Sequence, residues 1–264
     1  MLGALLGQGR TAEVFEWGAS DVVKLFRKGF EAQVQREAML VQVAQALGGR
    51  TPAFQGQVRV GERLGLVFER AAGQSLMSLL SSKPWLLRRG ARILSRLHGS
   101  IHECTAPSLP RLVDQFRTLI ETAEGLTSGQ RSSALAIVDQ MPDGQQLCHG
   151  DMHPGNVMVG TSRSWVIDWG TAGRGDPLVD VGVTAMILRL GELPPGTPWL
   201  LRRLVPLMRE RLRLDYLLGC GLSESDRQRL DGWQLALAAA RLGRGVAGER
   251  RTLLDMIQIR FSEP

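Results

Sequence analysis

The stretch LCHGDMHPGNVMV, residues 147–159, places two histidines, an aspartate and an asparagine between two short apolar runs. His149, Asp151 and His153 alternate, so on an extended strand all three side chains would face one way and could bind a transition metal. A proline and a glycine follow His153 at once, however, and this composition is typical of a loop. The segment therefore predicts a polar loop, with a metal site, a catalytic loop and a plain turn as its alternative interpretations.

A second acidic residue follows the loop at the end of another apolar run. The segment SWVID, 164–168, predicts a short strand that delivers Asp168 to a tryptophan–glycine bend. An aspartate, an asparagine five residues later and an aspartate twelve residues beyond form the set that phosphoryl transfer needs. In this hypothesis Asp151 orients the proton of an attacking hydroxyl, while Asn156 and Asp168 hold Mg²⁺ against nucleotide phosphates. Because Mg²⁺ prefers oxygen ligands, the two histidines are expected to support the loop.

Phosphoryl transfer also requires a phosphate clamp, and the N-terminal segment LLGQGRTAEVFEW, 5–17, offers one. It contains Gly7 and Gly9 between two strand-like runs, which is typical of a hairpin over a nucleotide and equally of an ordinary turn. It is not the dinucleotide-binding fingerprint, because Ala12 stands at the last glycine position and no helical pattern follows.

A candidate cation for the phosphates lies shortly after this hairpin. Lys24 is in the apolar run DVVKLF, 21–26, and is the first of only three lysines in the chain. A buried ammonium is costly without a partner, although a lysine at a sheet edge can bury its stem and keep its head in water. On the helical pattern at 30–47, Glu37 lies on the stripe expected to face the sheet. We therefore predict a Lys24–Glu37 ion pair, with Glu31 as the reserve partner.

The pattern of the sequence changes near residue 72. Short β-rich runs precede that point, whereas helical periodicity follows it and predicts helices at 84–103, 111–124, 129–140, 177–190, 199–218, 224–243 and 249–260. The predicted fold is α+β and bilobal. A small antiparallel-sheet lobe with one main helix, 1–70, precedes a larger, mostly helical lobe, 71–264, which contains a turn-rich connection at 192–198.

Composition narrows the functional classes. The chain has 264 residues, of which 44% are hydrophobic, but no apolar run approaches the roughly 20 residues of a membrane span. The stretch MLGALLGQGR lacks the basic segment, the long apolar segment and the cleavage site expected of a signal peptide. We expect a cytoplasmic protein. Three widely spaced cysteines fit reduced thiols. The net charge of +6 comes from 29 arginines and 3 lysines scattered among acids on predicted helices, so no nucleic-acid partner is expected.

Together the motifs HGDMHPGN, VIDWG and GDPLVDVG, with Gly7, Lys24 and Glu37, resemble the aminoglycoside phosphotransferase and choline kinase family. That family is the small-molecule branch of the protein-kinase-like fold, and the resemblance covers about residues 5–182. It implies ATP as co-substrate with Mg²⁺, and an N-lobe that clamps the nucleotide. Asp151 is then the catalytic aspartate, and Asn156 and Asp168 are the magnesium ligands.

The resemblance implies further roles. The backbone of Glu69 and Ala71 would hold adenine, and Asp180 would brace the catalytic loop, although it is also placed as a helix-start acid. Protein kinases have an arginine where Gly150 stands, and a long peptide-positioning segment where only eleven residues separate Asp168 from Asp180. The expected acceptor is therefore a hydroxyl group of a small molecule. The alternatives are an antibiotic kinase, a metabolite kinase for choline, an amino sugar or homoserine, and a pseudokinase; the sequence leaves the oligomeric state open.

Overall fold

The N-terminal part of the chain forms a sheet of five antiparallel strands. The structure is a computed structural model that describes residues 2–190 and 198–262. The strands are β1 (Leu2–Gln8), β2 (Ala12–Trp17), β3 (Asp21–Phe26), β4 (Phe54–Val60) and β5 (Arg63–Glu69). Their order across the sheet is β1-β2-β3-β5-β4, so β3 is the central strand. Lys24 therefore pairs with Val14 on one side and Leu66 on the other, and the interpretation of Lys24 as an edge lysine is wrong.

Helix α1, Glu31–Ala46, covers one face of this sheet. Its buried residues recur at helical spacing, and Val34 and Ala38 pack with Phe26 and Leu66 in a small apolar cluster. Glu37 lies on the same buried stripe, as the sequence predicts. The register of α1 therefore points a carboxylate at the sheet from within an apolar face.

The rest of the described chain is mostly helical. Its helices are α2 (Leu76–Ser82), α3 (Leu87–His102), α4 (Leu112–Thr122), α5 (Ser128–Gln140), α6 (Pro177–Arg189), α7 (Trp199–Gly219), α8 (Glu224–Gly232), α9 (Gln234–Gly243) and α10 (Arg250–Ser262). Five short strands accompany them: β6 (Gln74–Ser75), β7 (Gln146–Cys148), β8 (Val157–Val159), β9 (Ser164–Val166) and β10 (Gly173–Gly175). β8 lies between β6 and β9, and β7 pairs with β10. The predicted bilobal, kinase-like α+β fold is confirmed.

Several elements differ from the sequence prediction. Strand β4 was not predicted, because an edge strand pairs on one side only and Phe54–Val60 contains no fully buried residue. Helix α2 has seven residues, too few to show a helical period. The predicted helix at 224–243 is two helices that meet at Trp233. The turn-rich connection predicted at 192–198 lies, apart from its last residue, outside the described residues.

Two apolar clusters fill the helical part. One joins α4, α5, α6, α9 and α10, and the other runs from α1 through α2 and α3 to the polar loop and α7. The second cluster includes Leu40 of α1, Met152 of the loop and Trp169 after β9, so it continues from the first lobe into the second. Among the described residues, no helix is both long and apolar enough to cross a membrane.

The second cluster provides a test of the core. Leu94 in α3 is fully buried in it, whereas Leu207 in α7 is 67% exposed. Leu94→Ala removes buried methyl groups and leaves a cavity, so we expect the free energy of unfolding to fall by roughly 2–5 kcal/mol. Leu207→Ala should change it by less than about 0.5 kcal/mol. Urea denaturation followed by circular dichroism measures both, and equal losses in the two variants would contradict this packing.

Candidate active site

A glycine in a left-handed conformation shapes the polar loop between β7 and β8. Gly150 has a φ of +73°, and a Cβ atom there would lie 2.6 Å from the carbonyl oxygen of Thr171. Both the backbone conformation and this close approach require glycine. The arginine that protein kinases carry here therefore has no room in this chain. The segment is a loop and not a strand, so the alternating three-ligand metal interpretation loses its geometric basis.

The two histidines of the loop contact its own backbone. His149 donates from Nε2 to the carbonyl of Ile167 at 3.1 Å and accepts from the amide of Asp151 at 3.3 Å. Its ring packs against Trp169 at 4.9 Å between centroids. His153 accepts the Gly155 amide at 3.0 Å. Both imidazoles therefore contact the backbone of the loop or of the strand end beside it.

Asp180, in the first turn of α6, lies beneath the loop. Its carboxylate is fully buried and accepts the amides of His149 and Gly150, at 2.6 and 2.9 Å. Two histidines of α3 also contact the carboxylate, with Nε2 of His98 at 2.9 Å and Nε2 of His102 at 3.2 Å. Asp180 therefore ties the start of the loop to α3 and α6.

His98 extends this network to α7. Its Nδ1 lies 2.6 Å from the hydroxyl of Tyr216, and both rings are buried. Burial lowers the pKa of His98 from 6.5 to about 4, although the neighbouring Asp180 carboxylate opposes the shift. The ring is therefore neutral at pH 7, so Nε2–H donates to Asp180 and Nδ1 accepts from Tyr216. Among the described residues, His98, His102 and Asp180 are the one group of three histidine, cysteine or acidic side chains close enough to share a metal ion, and their polar atoms already bond one another.

Lys24 joins three separate elements in the cleft between the sheet and the helical lobe. Its ammonium lies 2.7 and 2.8 Å from the two carboxylate oxygens of Glu37 and 2.9 Å from Oδ1 of Asp168. The predicted Lys24–Glu37 ion pair is present. Glu31, the reserve partner, is exposed at the start of α1 and accepts the amide of Gly29 instead.

Charge and burial act together on these three groups. Burial alone would lower the pKa of Lys24, but the carboxylates of Asp168 and Glu37 outweigh it and raise that pKa. The Lys24 ammonium holds the pKa of Asp168 below its usual value, although burial opposes it. Asp168 also has a φ of +66°, an uncommon backbone conformation for a residue other than glycine. The arrangement holds a cation and an ionised carboxylate side by side.

The oxygen atoms near this pair fit a hard divalent cation. Asn156 donates its side-chain amide to the carbonyl of Asp151 at 3.0 Å, which leaves its side-chain oxygen free. Asp168 uses Oδ1 for Lys24, which leaves Oδ2 available. Amide and carboxylate oxygens are ligands that Mg²⁺ prefers, so Asn156 and Asp168 would fit this ion.

A cavity of about 410 Å³ opens between the lobes at this point. Leu6, Val14, Val22, Phe68, Met158 and Ile167 supply its apolar walls. The predicted residues that line it are Gly7, Lys24, Glu37, Glu69, Ala71, Asn156 and Asp168. Seven residues chosen from separate parts of the sequence therefore meet around one cavity.

The other predicted residues lie outside this lining. The amide of Gly9 closes the β1–β2 turn on the carbonyl of Ala12 at 2.8 Å. Asp151 lies beside the cavity and accepts Nη1 of Arg241 at 2.8 Å through Oδ1. Asp180 accepts amides at the start of the loop, and His149 and His153 accept amides within it.

Sequence reasoning missed a set of residues contributed by the C-terminal helices. Arg241, on α9, binds Glu249 through two nitrogens at 2.6 and 2.8 Å in addition to Asp151. Arg244, one turn later, donates to the carbonyl of Gly150 at 3.0 Å. Their spacing of three residues was the available signal, but 29 arginines spread over the chain conceal it.

The fold and a family match place this chain among the kinase-like phosphotransferases. A family model described as the phosphotransferase enzyme family matches residues 4–233. The chain therefore belongs to that family. No curated protein matches its sequence.

Solved structures show the same fold at low sequence identity. The structure of aminoglycoside-3'-phosphotransferase of type VIII is 19% identical and superposes with a TM-score of 0.62, covering 90% of this chain and 92% of that one. A choline/ethanolamine kinase family protein from Mesorhizobium loti is 16% identical, with a TM-score of 0.62 and coverage of 100% and 89%. A thermostable mutant of aminoglycoside phosphotransferase APH(4)-Ia, in ternary complex with ADP and hygromycin B, is 19% identical, with a TM-score of 0.54 and coverage of 94% and 95%.

The buried His98 predicts a pH dependence of stability. Its folded-state pKa of about 4 lies below the value of 6.5 for a free imidazole, so between these values the unfolded chain binds more protons. The free energy of unfolding should therefore fall as the pH drops through this window, by up to about 3 kcal/mol. His98→Gln should remove this contribution, whereas His102→Gln keeps the His98 ring. Urea titrations between pH 7 and 4 measure the slopes, and parallel curves for the wild type and His98→Gln would contradict the assignment.

The contacts of Lys24 with Glu37 and Asp168 predict that Lys24 contributes to the affinity for a nucleotide. Lys24→Met removes the cation from the cavity and leaves Glu37 buried without its partner, so we expect at least a tenfold loss of MgATP affinity. Lys28→Met is the matched control, because Lys28 is an exposed lysine of the same lobe that pairs with Glu62. Titration with a fluorescent ATP analogue measures both, with circular dichroism to verify folding. Unchanged affinity in folded Lys24→Met would remove Lys24 from the nucleotide site.

Proposed function

We propose that this chain transfers the γ-phosphate of MgATP to a hydroxyl group of a small molecule. The observation that carries the proposal is the meeting of Lys24, Glu37, Asn156 and Asp168 around one cavity, with Asp151 beside it. In this proposal residues 1–70 clamp the nucleotide, and residues 71–264 supply the catalytic loop and the acceptor site. Because the reaction consumes ATP, the proposal also places the protein in the cytoplasm.

In this proposal the nucleotide lies in the cavity with its base against the apolar walls. The apolar walls suit a flat heterocycle, and the connection after β5 passes the cavity at Glu69 and Ala71. Their backbone groups are the proposed adenine contacts. The Lys24 ammonium, fixed by Glu37, then lies where it can bind the phosphates, and the β1–β2 turn with Gly7 and Gly9 covers them.

The cation would be held by Asn156 and Asp168, and when bound it supplies positive charge against the phosphate oxygens. Lys24 contributes a second positive charge to the same region. Arg241 occupies Oδ1 of Asp151, whereas Oδ2 lies 4.0 Å from Nε2 of His153, beyond hydrogen-bond distance. Oδ2 can therefore accept the hydrogen bond of the acceptor hydroxyl. The acceptor oxygen bonds the γ-phosphorus, the bond to the β–γ bridging oxygen breaks with its electron pair on ADP, and the hydroxyl proton passes to Asp151.

A metabolite kinase is the second candidate within this reaction class. Its support is the structural likeness to a choline/ethanolamine kinase family protein, which shows the fold without the acceptor. An antibiotic kinase rests on likeness of the same kind, to aminoglycoside phosphotransferases. The presence of Lys24, Asp151, Asn156 and Asp168 at or beside one cavity counts against a pseudokinase.

Removal of the two carboxylates should separate their roles. Asp151→Asn keeps the nucleotide cavity intact, so we expect MgATP binding close to that of the wild type and a loss of turnover of at least a hundredfold. Asp168→Ala removes a proposed cation ligand, so metal-dependent nucleotide binding should fall as well. The matched control is Asp139→Asn, an exposed acid that pairs with Arg117 far along α5.

The measurement is ADP production with MgATP across a panel of hydroxyl compounds: aminoglycosides, macrolides, choline, amino sugars and hydroxy amino acids. Turnover of one class that disappears in Asp151→Asn supports the proposal. Nucleotide binding lost in Asp151→Asn but kept in Asp168→Ala would reverse the two roles. Absence of MgATP binding by the wild type would refute the proposed function.

A further inference from the structure

A group of arginines lies around Arg244, which contacts the catalytic loop. Arg241 is on α9, Arg244 directly follows that helix, Arg10 is in the β1–β2 turn and Arg36 is on the exposed side of α1. Nη1 of Arg10 donates to the main-chain carbonyl of Arg244, so the turn that would cover the nucleotide also contacts the end of α9. Residues distant in sequence therefore assemble this group, which the proposed nucleotide site does not use.

Arg244 differs from Arg241, whose three nitrogens all bind carboxylates, because Arg244 keeps unused hydrogen-bond donors beside the loop. Its guanidinium carries five N–H donors, and one of them binds the carbonyl of Gly150, the residue immediately before Asp151. That bond fixes the cation within one residue of the proposed catalytic carboxylate. Burial lowers the pKa of Arg244, and Asp151 opposes this effect while Arg241 adds to it, yet a guanidinium stays charged at neutral pH.

The carboxylates nearby are already paired. Arg241 binds Oδ1 of Asp151 at 2.8 Å and chelates Glu249, which is buried. The charged groups that act most strongly on Arg244 are one carboxylate, Asp151, and three guanidinium groups. A polycationic acceptor would meet like charge here and would have no unpaired carboxylate to bind in this part of the described structure. An anionic group could bind the guanidinium of Arg244, which is held in place, partly desolvated and has N–H donors that are not used within the protein.

We propose that the acceptor carries an anionic group, a carboxylate or a phosphate, which Arg244 binds while the acceptor hydroxyl lies against Asp151. This rests on the proposed phosphotransferase function and narrows its substrate class. Arg241 acts as a positioning residue, because it holds the Asp151 carboxylate through Oδ1 and leaves Oδ2 facing the acceptor. Arg10 and Arg36 add positive potential around Arg244, which attracts an anion without fixing its orientation.

The test uses four small hydroxyl compounds that differ in charge: glycerate, glycerol 3-phosphate, glycerol and choline. The full chain is first saturated with MgADP, and the melting temperature is measured against the concentration of each compound. Steady-state phosphorylation with MgATP is then measured for the same four compounds. Three variants accompany the wild type: Arg244→Gln, the charge-conserving Arg244→Lys and the control Arg96→Gln, which alters an exposed arginine of α3 away from the site.

We expect at least one of the two anions to raise the melting temperature at lower concentration than glycerol or choline does. In Arg244→Gln its apparent Kd, and its KM where turnover occurs, should rise at least tenfold with the KM for MgATP unchanged. Arg244→Lys should recover part of this loss, and Arg96→Gln should match the wild type. Preference for glycerate identifies a carboxylate acceptor, and preference for glycerol 3-phosphate a phosphorylated one.

Three results would overturn the inference: tighter binding of choline, equal or absent effects of the anions and glycerol, or an anion effect that persists in folded Arg244→Gln. Failure of the proposed function is distinguishable. It would appear as absence of MgADP binding in the wild type, while the anion titration can still be made without nucleotide.

Discussion

The ammonium of Lys24, shared between Glu37 and Asp168, is the contact on which the arrangement of the cleft depends. It connects the central strand, the main helix of the first lobe and the bend after β9 at distances of 2.7 to 2.9 Å. Without the cation, a buried glutamate and a nearby aspartate would be left to repel each other. The same charge balance keeps Asp168 ionised, which a cation ligand requires. The same two ionic contacts of Lys24 thus connect the lobes and set the charge of the cavity.

The part of the catalytic loop around Asp151 has a similar arrangement, in which an arginine joins two carboxylates. Two anions, Asp151 and Glu249, are held by Arg241, and the buried Asp180 is held by loop amides and α3 histidines. Each carboxylate of the site has a fixed partner, so its orientation is set before any ligand arrives. Preorganisation of this kind is what stabilises charge that develops during transfer of a phosphoryl group.

The sequence predicted the parts of the fold and site that depend on local patterns. Glu37 could be chosen because a carboxylate on a buried helical stripe needs a partner, and the loop residues because their chemistry is concentrated in one short segment. Strand β4 was not predicted because an edge strand has a weak pattern of buried residues. Helix α2 was not predicted because seven residues are too few to show a helical periodicity. Sequence patterns also did not indicate Arg241, Arg244 and His98. These residues contact partners that lie 82 to 94 residues away in the sequence, and no local pattern encodes such contacts.

Gly150 shows how little the catalytic loop tolerates at one point. Its missing Cβ would stand 2.6 Å from a backbone oxygen, and every other amino acid begins with that same atom. The harm done by a replacement is therefore decided at the first carbon and does not grow with the size of the side chain. In systematic mutagenesis of the protein, all substitutions at this position should therefore be similarly damaging. Alanine is then as damaging as tryptophan, and no conservative substitution exists.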